Sequence, residues 1–123
     1  MILLVDDDPL QAFMRKSALE KFFPDVRRVS GPEALCLIEQ SHFAERLALV
    51  ISGTHMPGLS GSDFVAELCR RLPWLPVLVL GADPEFSLRN SSHFIHHAPL
   101  PISGEELLRI SRQLIDLHKV PAA

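Results

Sequence analysis

Short apolar runs alternate with amphipathic ones along almost the whole chain, and no motif-length period repeats. Met1-Ile2-Leu3-Leu4-Val5 is continuous in hydrophobicity, as a parallel strand covered on both faces requires. It ends in Asp6-Asp7-Asp8. Asp8 followed by Pro9 supplies an N-cap and a first-turn proline, after which Leu10, Phe13, Met14, Ala18 and Phe22 recur at helical spacing until Pro24. Asp25 to Val29 reads as a strand of alternating charge, suited to a sheet edge. Ser30-Gly31-Pro32-Glu33 is a capping box that opens a second helix running through Ala34, Leu35, Leu37 and Ile38 toward Gln40.

Leu47-Ala48-Leu49-Val50-Ile51 predicts a buried third strand, bounded by the turn residues Gly53, Pro57, Gly58 and Gly61. Ser60 or Ser62 then caps a third helix carrying Phe64, Val65, Leu68 and Leu72, stopped by Pro73. Val77 to Leu80 is a fourth strand followed by Gly81. Pro84 to Ser92 holds Ser87, Asn90, Ser91 and Ser92, residues that prefer caps and turns, so a short, frayed fourth helix is expected there. Phe94 to Ala98 supplies a fifth strand. A second capping box, Ser103-Gly104-Glu105-Glu106, opens a last helix in which Leu107, Ile110, Leu114 and Leu117 recur up to Lys119.

Strict alternation of strands and helices needs right-handed crossovers. The packing that satisfies them is an α/β fold of flavodoxin-like type: a five-stranded parallel sheet in order 2-1-3-4-5 with helices on both faces. At 123 residues and 47% hydrophobic content one core is expected, formed by a domain over 1–119, with 120–123 as a tail or the start of a linker. The net charge of −3 comes with scattered basic residues and no long cationic run, which argues against nucleic-acid binding. Cys36 and Cys69 fall within amphipathic helical runs and are expected as reduced core thiols, consistent with a cytoplasmic protein. No hydrophobic stretch reaches bilayer-spanning length and no basic n-region precedes the first apolar run, so no membrane association is expected.

Four segments in this order carry a resemblance to response-regulator receiver domains: ILLVDDDP at the first strand, VISGTHMPGLSG at the third, PVLVLGA at the fourth, and LPISGEELL at the fifth strand and last helix. The resemblance covers essentially the whole chain. It implies a site built from an acidic pair that holds a divalent cation, an aspartate phosphoacceptor, a hydroxyl residue after the fourth strand, and a lysine before a proline after the fifth. Carried over position by position, the acidic pair is present as Asp6 and Asp7. Matching Met56-Pro57-Gly58 to the family's turn puts the acceptor position at Gly53, which has no side chain to phosphorylate. The hydroxyl position becomes Gly81. The lysine position becomes Leu100 if Pro101 is the family's proline, or Ala98 if Pro99 is. The aromatic position three places earlier becomes His97. The family's cis bond at this proline leads us to expect cis at Leu100-Pro101 and trans at Ala98-Pro99.

Ser52 and Thr54 flank Gly53 but should point to the opposite face, because strand side chains alternate. His55, two residues on, could turn back toward the pocket, either as a phosphohistidine or as a metal ligand, against the alternative of a solvated loop residue. Asp8 is expected only to cap a helix. Asp6 and Asp7 alone should bind Mg²⁺ weakly, since the third carboxylate is gone, and the loss of the lysine leaves two like charges close together. His93, His96 and His97 would converge on a zinc ion if helical, but diverge in a strand. Arg27-Arg28 and Arg70-Arg71 are expected as solvated faces.

These features together imply a degenerate receiver domain: a phosphorylation-independent interaction or regulatory module of bacterial two-component-type signalling. It is expected to be no enzyme and to need no cofactor. Its partner would be a protein, with a homodimer among the options, and Pro99, Leu100, Pro101 and Ile102 form the expected apolar docking patch. The alternatives are a small-ligand or metal-binding domain using the emptied pocket between Asp6, Asp7, Gly53 and Gly81, and a dimerising domain of a larger protein.

Overall fold

Four fully buried residues, Ile2–Val5, form strand β1, and the register of its neighbours builds the sheet outward from it. The computed structural model describes residues 1–53, 55–56, 59–81 and 94–118. β2 (Val26–Val29) pairs with one side of β1, and β3 (Leu49–Gly53) with the other. β4 (Val77–Leu80) and β5 (Ile95–Ala98) follow, all parallel, so the sheet order is the expected 2-1-3-4-5. β2 is an edge strand, as its charge pattern indicated, and its exposed Arg27 and Arg28 discourage edge pairing.

The helices are α1 (Pro9–Glu20), α2 (Gly31–Ile38), α3 (Ser41–Ala44), α4 (Gly61–Arg71) and α5 (Gly104–Leu117). Four begin where the sequence placed a cap. The Asp8 carboxylate accepts the N–H groups of Leu10 and Gln11; Ser30, Ser60 and Ser103 accept those of Glu33, Asp63 and Glu106. Each cap is worth about 1 kcal/mol. The short α3 was not foreseen: Gln40 makes no side-chain cap and a single turn has no periodicity to read. Nor was a two-residue antiparallel ladder pairing His55 with Ser60 and Met56 with Leu59. The helix expected over 84–92 and the tail at 120–123 lie outside the described residues.

Alternation along the strands splits the core in two. Leu3, Val5, Val50, Val77 and Val79 pack with Ala34, Ile38, Phe43, Phe64 and Leu68 on one face, under α2, α3 and α4. On the other face Ile2, Leu4, Leu49, Ile51, Leu78 and Leu80 pack with Leu19, Leu107 and Leu114, under α1 and α5.

Several expectations are corrected. The third strand starts at Leu49 rather than Leu47 and runs through Gly53, because pairing with β1 and β4 continues past the apolar run; Leu47 is buried outside the strand. On α1, the expected apolar stripe is largely exposed: Leu10, Phe13, Met14 and Phe22 face solvent, while Ala12, Ala18 and Leu19 are buried. The cause is close packing of α1 on α5, where a Cβ added to Gly104 would lie 2.9 Å from that of Ala18. Only small residues fit that seam. Leu117 is likewise exposed at the end of α5. Cys36 is exposed rather than in the core, and Cys69 is half-buried, where desolvation raises its thiol pKa.

Candidate functional site at the carboxyl ends of the strands

Parallel strands deliver their following residues to one edge of the sheet. Asp6 and Asp7 leave β1 there, Gly53 ends β3, Gly81 follows β4, and Pro99 to Ile102 follow β5. Gly53 and Leu80 are register partners, which sets Gly81 one residue beyond the β3 terminus.

Each oxygen of Asp6 has a hydrogen-bond partner. Its Oδ2 receives Arg15 Nη1 at 2.6 Å, its Oδ1 accepts the Asp8 N–H at 3.0 Å, and its carbonyl accepts Arg28 Nε at 3.0 Å. The Arg15 and Asp6 side chains are only 17% and 11% exposed, so this ion pair is sheltered from water. Asp7 differs: its Oδ2 is buried and without a hydrogen-bond partner. Asp8 is the helix cap that the sequence indicated. Arg15 itself was missed, since a basic residue two turns into an amphipathic helix carries no sign that its guanidinium turns back toward the strand end. The expectation that Asp6 and Asp7 stand without a compensating positive charge is corrected by it. Arg28 is exposed, as expected, and in addition donates to the Asp6 backbone.

Gly53 leaves open space, with no heavy atom within 4 Å of where a Cβ would stand. Ser52 is fully buried, and its hydroxyl donates to the Gly53 carbonyl at 2.9 Å. Gly81 is buried and holds φ 123°, a conformation that side-chain-bearing residues rarely adopt, while its N–H donates to the Ala98 carbonyl at 2.8 Å. Leu100 is half exposed; its bond to Pro101 is cis, the one cis bond among the described residues, as expected. Thr54, Pro57, Gly58 and His93 lie outside the described residues, and His55 is described in its backbone alone.

Of the three histidines in the zinc hypothesis, His93 lies outside the described residues, while His96 and His97 are neighbours on β5. His96 meets His118, the residue that follows α5, Nε2 to Nε2 at 2.8 Å, and Phe94 packs on the His118 ring at 4.6 Å between centroids. His97 is register partner to Val79; burial of part of its ring lowers its pKa, although the residue as a whole is exposed. Among the described residues no three His, Cys, Asp or Glu side chains converge to hold a metal ion. A divalent cation does not fit the acidic pair as it stands: Gly53 provides no third carboxylate, and a guanidinium sits on Asp6. Away from the site, Arg71 is no free surface charge either, binding Glu67 on α4 and Glu39 beyond α2 at 2.7 and 2.9 Å. Arg70 and Arg71 together hold the Glu67 carboxyl down to about 2.

Receiver domains are among the solved structures that share this architecture. A response regulator receiver domain protein from Clostridium thermocellum superposes with a TM-score of 0.83 at 23% identity, covering 96% of this chain and 95% of its own. The chain has the receiver-domain fold. The signal receiver domain of a signal transduction histidine kinase from Syntrophus aciditrophicus shares that fold at a TM-score of 0.81 and 26% identity, over 99% of this chain and 94% of its own. The chemotaxis response regulator CheY4 of Vibrio cholerae does so at 0.77 and 24%, over 92% and 96%. No family model matches the chain, and no curated protein matches its sequence. Among the described residues no helix is long and apolar enough to cross a membrane.

Proposed function

We propose that this receiver-like domain works without aspartyl phosphorylation, as a protein-interaction or regulatory module in two-component-type signalling. One observation carries the reading: the strand end that the resemblance assigns to the phosphoacceptor holds Gly53, with open space in place of a carboxylate. Glycine itself offers no atom that accepts a phosphoryl group. Gly81 and Leu100 stand where the family's hydroxyl and lysine would, and Asp6 is taken up by Arg15. In this reading the domain is no enzyme, holds no cofactor and acts in the cytoplasm.

The interaction role is supported by apolar side chains left in water around the same edge. Leu10, Phe13 and Met14 on α1 are 67%, 71% and 57% exposed, and Leu100 is 50% exposed in the turn after β5. Met14 and Ile102 line one hollow together with Gln11 and Leu107, which brings Met14 beside the segment that follows β5. Exposed apolar residues clustered in this way are characteristic of a surface that another protein covers.

The test is one experiment read twice. The protein is incubated with a small phosphodonor and Mg²⁺; its intact mass should not change, and the proteins it captures should be the same with and without the donor. Leu100→Glu should lose those partners while remaining folded. A stable gain of one phosphoryl group mapped to the Gly53 segment would sink the reading.

A further inference from the structure

We propose that Arg15 is a built-in counter-ion of the acidic pair, and that its guanidinium makes this site blind to divalent cations. This deepens the reading of the same site but fails separately from it: phosphoryl silence rests on Gly53, metal blindness on Arg15.

The geometry is specific. Arg15 Nη1 lies 2.6 Å from Asp6 Oδ2, with both side chains largely removed from solvent. The other Asp6 oxygen accepts the Asp8 N–H, and a second guanidinium, that of Arg28, donates to the Asp6 carbonyl. Each Asp6 oxygen therefore already carries a hydrogen-bond partner. Mg²⁺ demands near-octahedral coordination at short distances and gives up its water reluctantly, so at Asp6 it competes with Arg15 for the carboxylate. A divalent ion arriving beside an undisplaced guanidinium meets like charge at contact range in a partly buried place, where screening by water and salt is reduced. Asp7 is the complement to this picture. Its buried Oδ2 has no hydrogen-bond partner, so half of a ligand set stays poised while the other half is neutralised from within.

What Arg15 replaces is the charge, and the position explains how. Asp8 caps α1 and fixes where the helix starts relative to the end of β1. Arg15 lies two turns further on, and the close approach of Ala18 to Gly104 holds the helix down on α5. The side chain can then run back beneath the helix toward the strand end, with its apolar stem partly buried and its head on Asp6. The Arg15 and Gly53 features act in the same direction: one removes a metal ligand, the other occupies a ligand that remains.

The experiment uses Mg²⁺ in thermal melts and Mn²⁺ as a paramagnetic probe of amide signals, on the full chain. The unaltered protein should show no Mg²⁺-dependent rise in Tm and no selective broadening at Asp6 to Asp8. Arg15→Gln should gain both, with about tenfold or more in apparent affinity, and lose them again when Asp6→Asn is added. Arg15→Lys keeps the charge and should stay blind. Selective Mn²⁺ broadening at Asp6 and Asp7 in the unaltered protein or in Arg15→Lys overturns the proposal, whether or not Arg15→Gln folds. So does a folded Arg15→Gln that remains blind.

Discussion

At Gly53 an added Cβ would meet no heavy atom within 4 Å, whereas at Gly81 the backbone itself excludes one by holding φ 123°. Gly53 sits within a paired strand, where glycine costs about 0.5–1 kcal/mol relative to alanine through lost chain entropy. Gly53→Ala should therefore leave stability unchanged or raise it by up to that amount. Gly81→Ala must place a side chain in a region disfavoured for L-residues, at a cost of about 1–3 kcal/mol. Urea denaturation of the two variants checks this, and the opposite order would mean that the strand ends differ from those described. The contrast bears on function. A Cβ has room at position 53, whereas any side chain at 81 strains the backbone that Gly81 adopts, so the two positions resist restoration unequally.

Helix α1 shows where reading from sequence stops. Its start was legible because Asp8-Pro9 is a local signal, and so were the starts of α2, α4 and α5, each set by a serine three residues before an acidic one. Strands covered on both faces were legible from continuous apolar runs, and β4 was placed at its observed limits. Which face α1 buries was not. Leu10, Phe13 and Met14 form one helical stripe and Ala12 and Leu19 another, and the choice between them is made by the sheet and α5, whose residues lie elsewhere in the chain. The partners of Arg15 and His96 were hidden for the same reason, since each reaches a residue on another element. The α1–α5 seam yields a prediction of its own. In Gly104→Ala the new methyl would lie 2.9 Å from the Ala18 Cβ, a rigid atom that cannot swing aside. Although alanine is the better helix former, the overpacking should dominate and cost about 1–3 kcal/mol. Ala18→Gly in the same background should recover part of the loss, and a Gly104→Ala variant as stable as the parent would show that the seam is looser than described.

Across the whole molecule the sheet is a partition between two cores with separate memberships. A domain that relays a chemical event at one strand edge to a distant face needs those layers to respond to each other; a domain used as a standing interaction surface does not. Ile38 lies in the core beneath α2 and Ile51 in the core beneath α1 and α5, and both are buried. Ile→Val at either position should cost about 0.5–1.5 kcal/mol. Even their sum leaves a domain of ordinary stability, about 5–15 kcal/mol, folded enough to measure. If the layers are independent, the double variant should match the sum of the single ones within about 0.3–0.5 kcal/mol in urea denaturation. A pair within one layer supplies the contrast. Leu4 and Ile51 are cross-strand register partners in the same core, so Leu4→Met combined with Ile51→Val should depart from additivity by more than that margin. A large coupling between Ile38 and Ile51 would show that packing changes cross the sheet, and would favour a switching domain over a static one even in the absence of a phosphoacceptor.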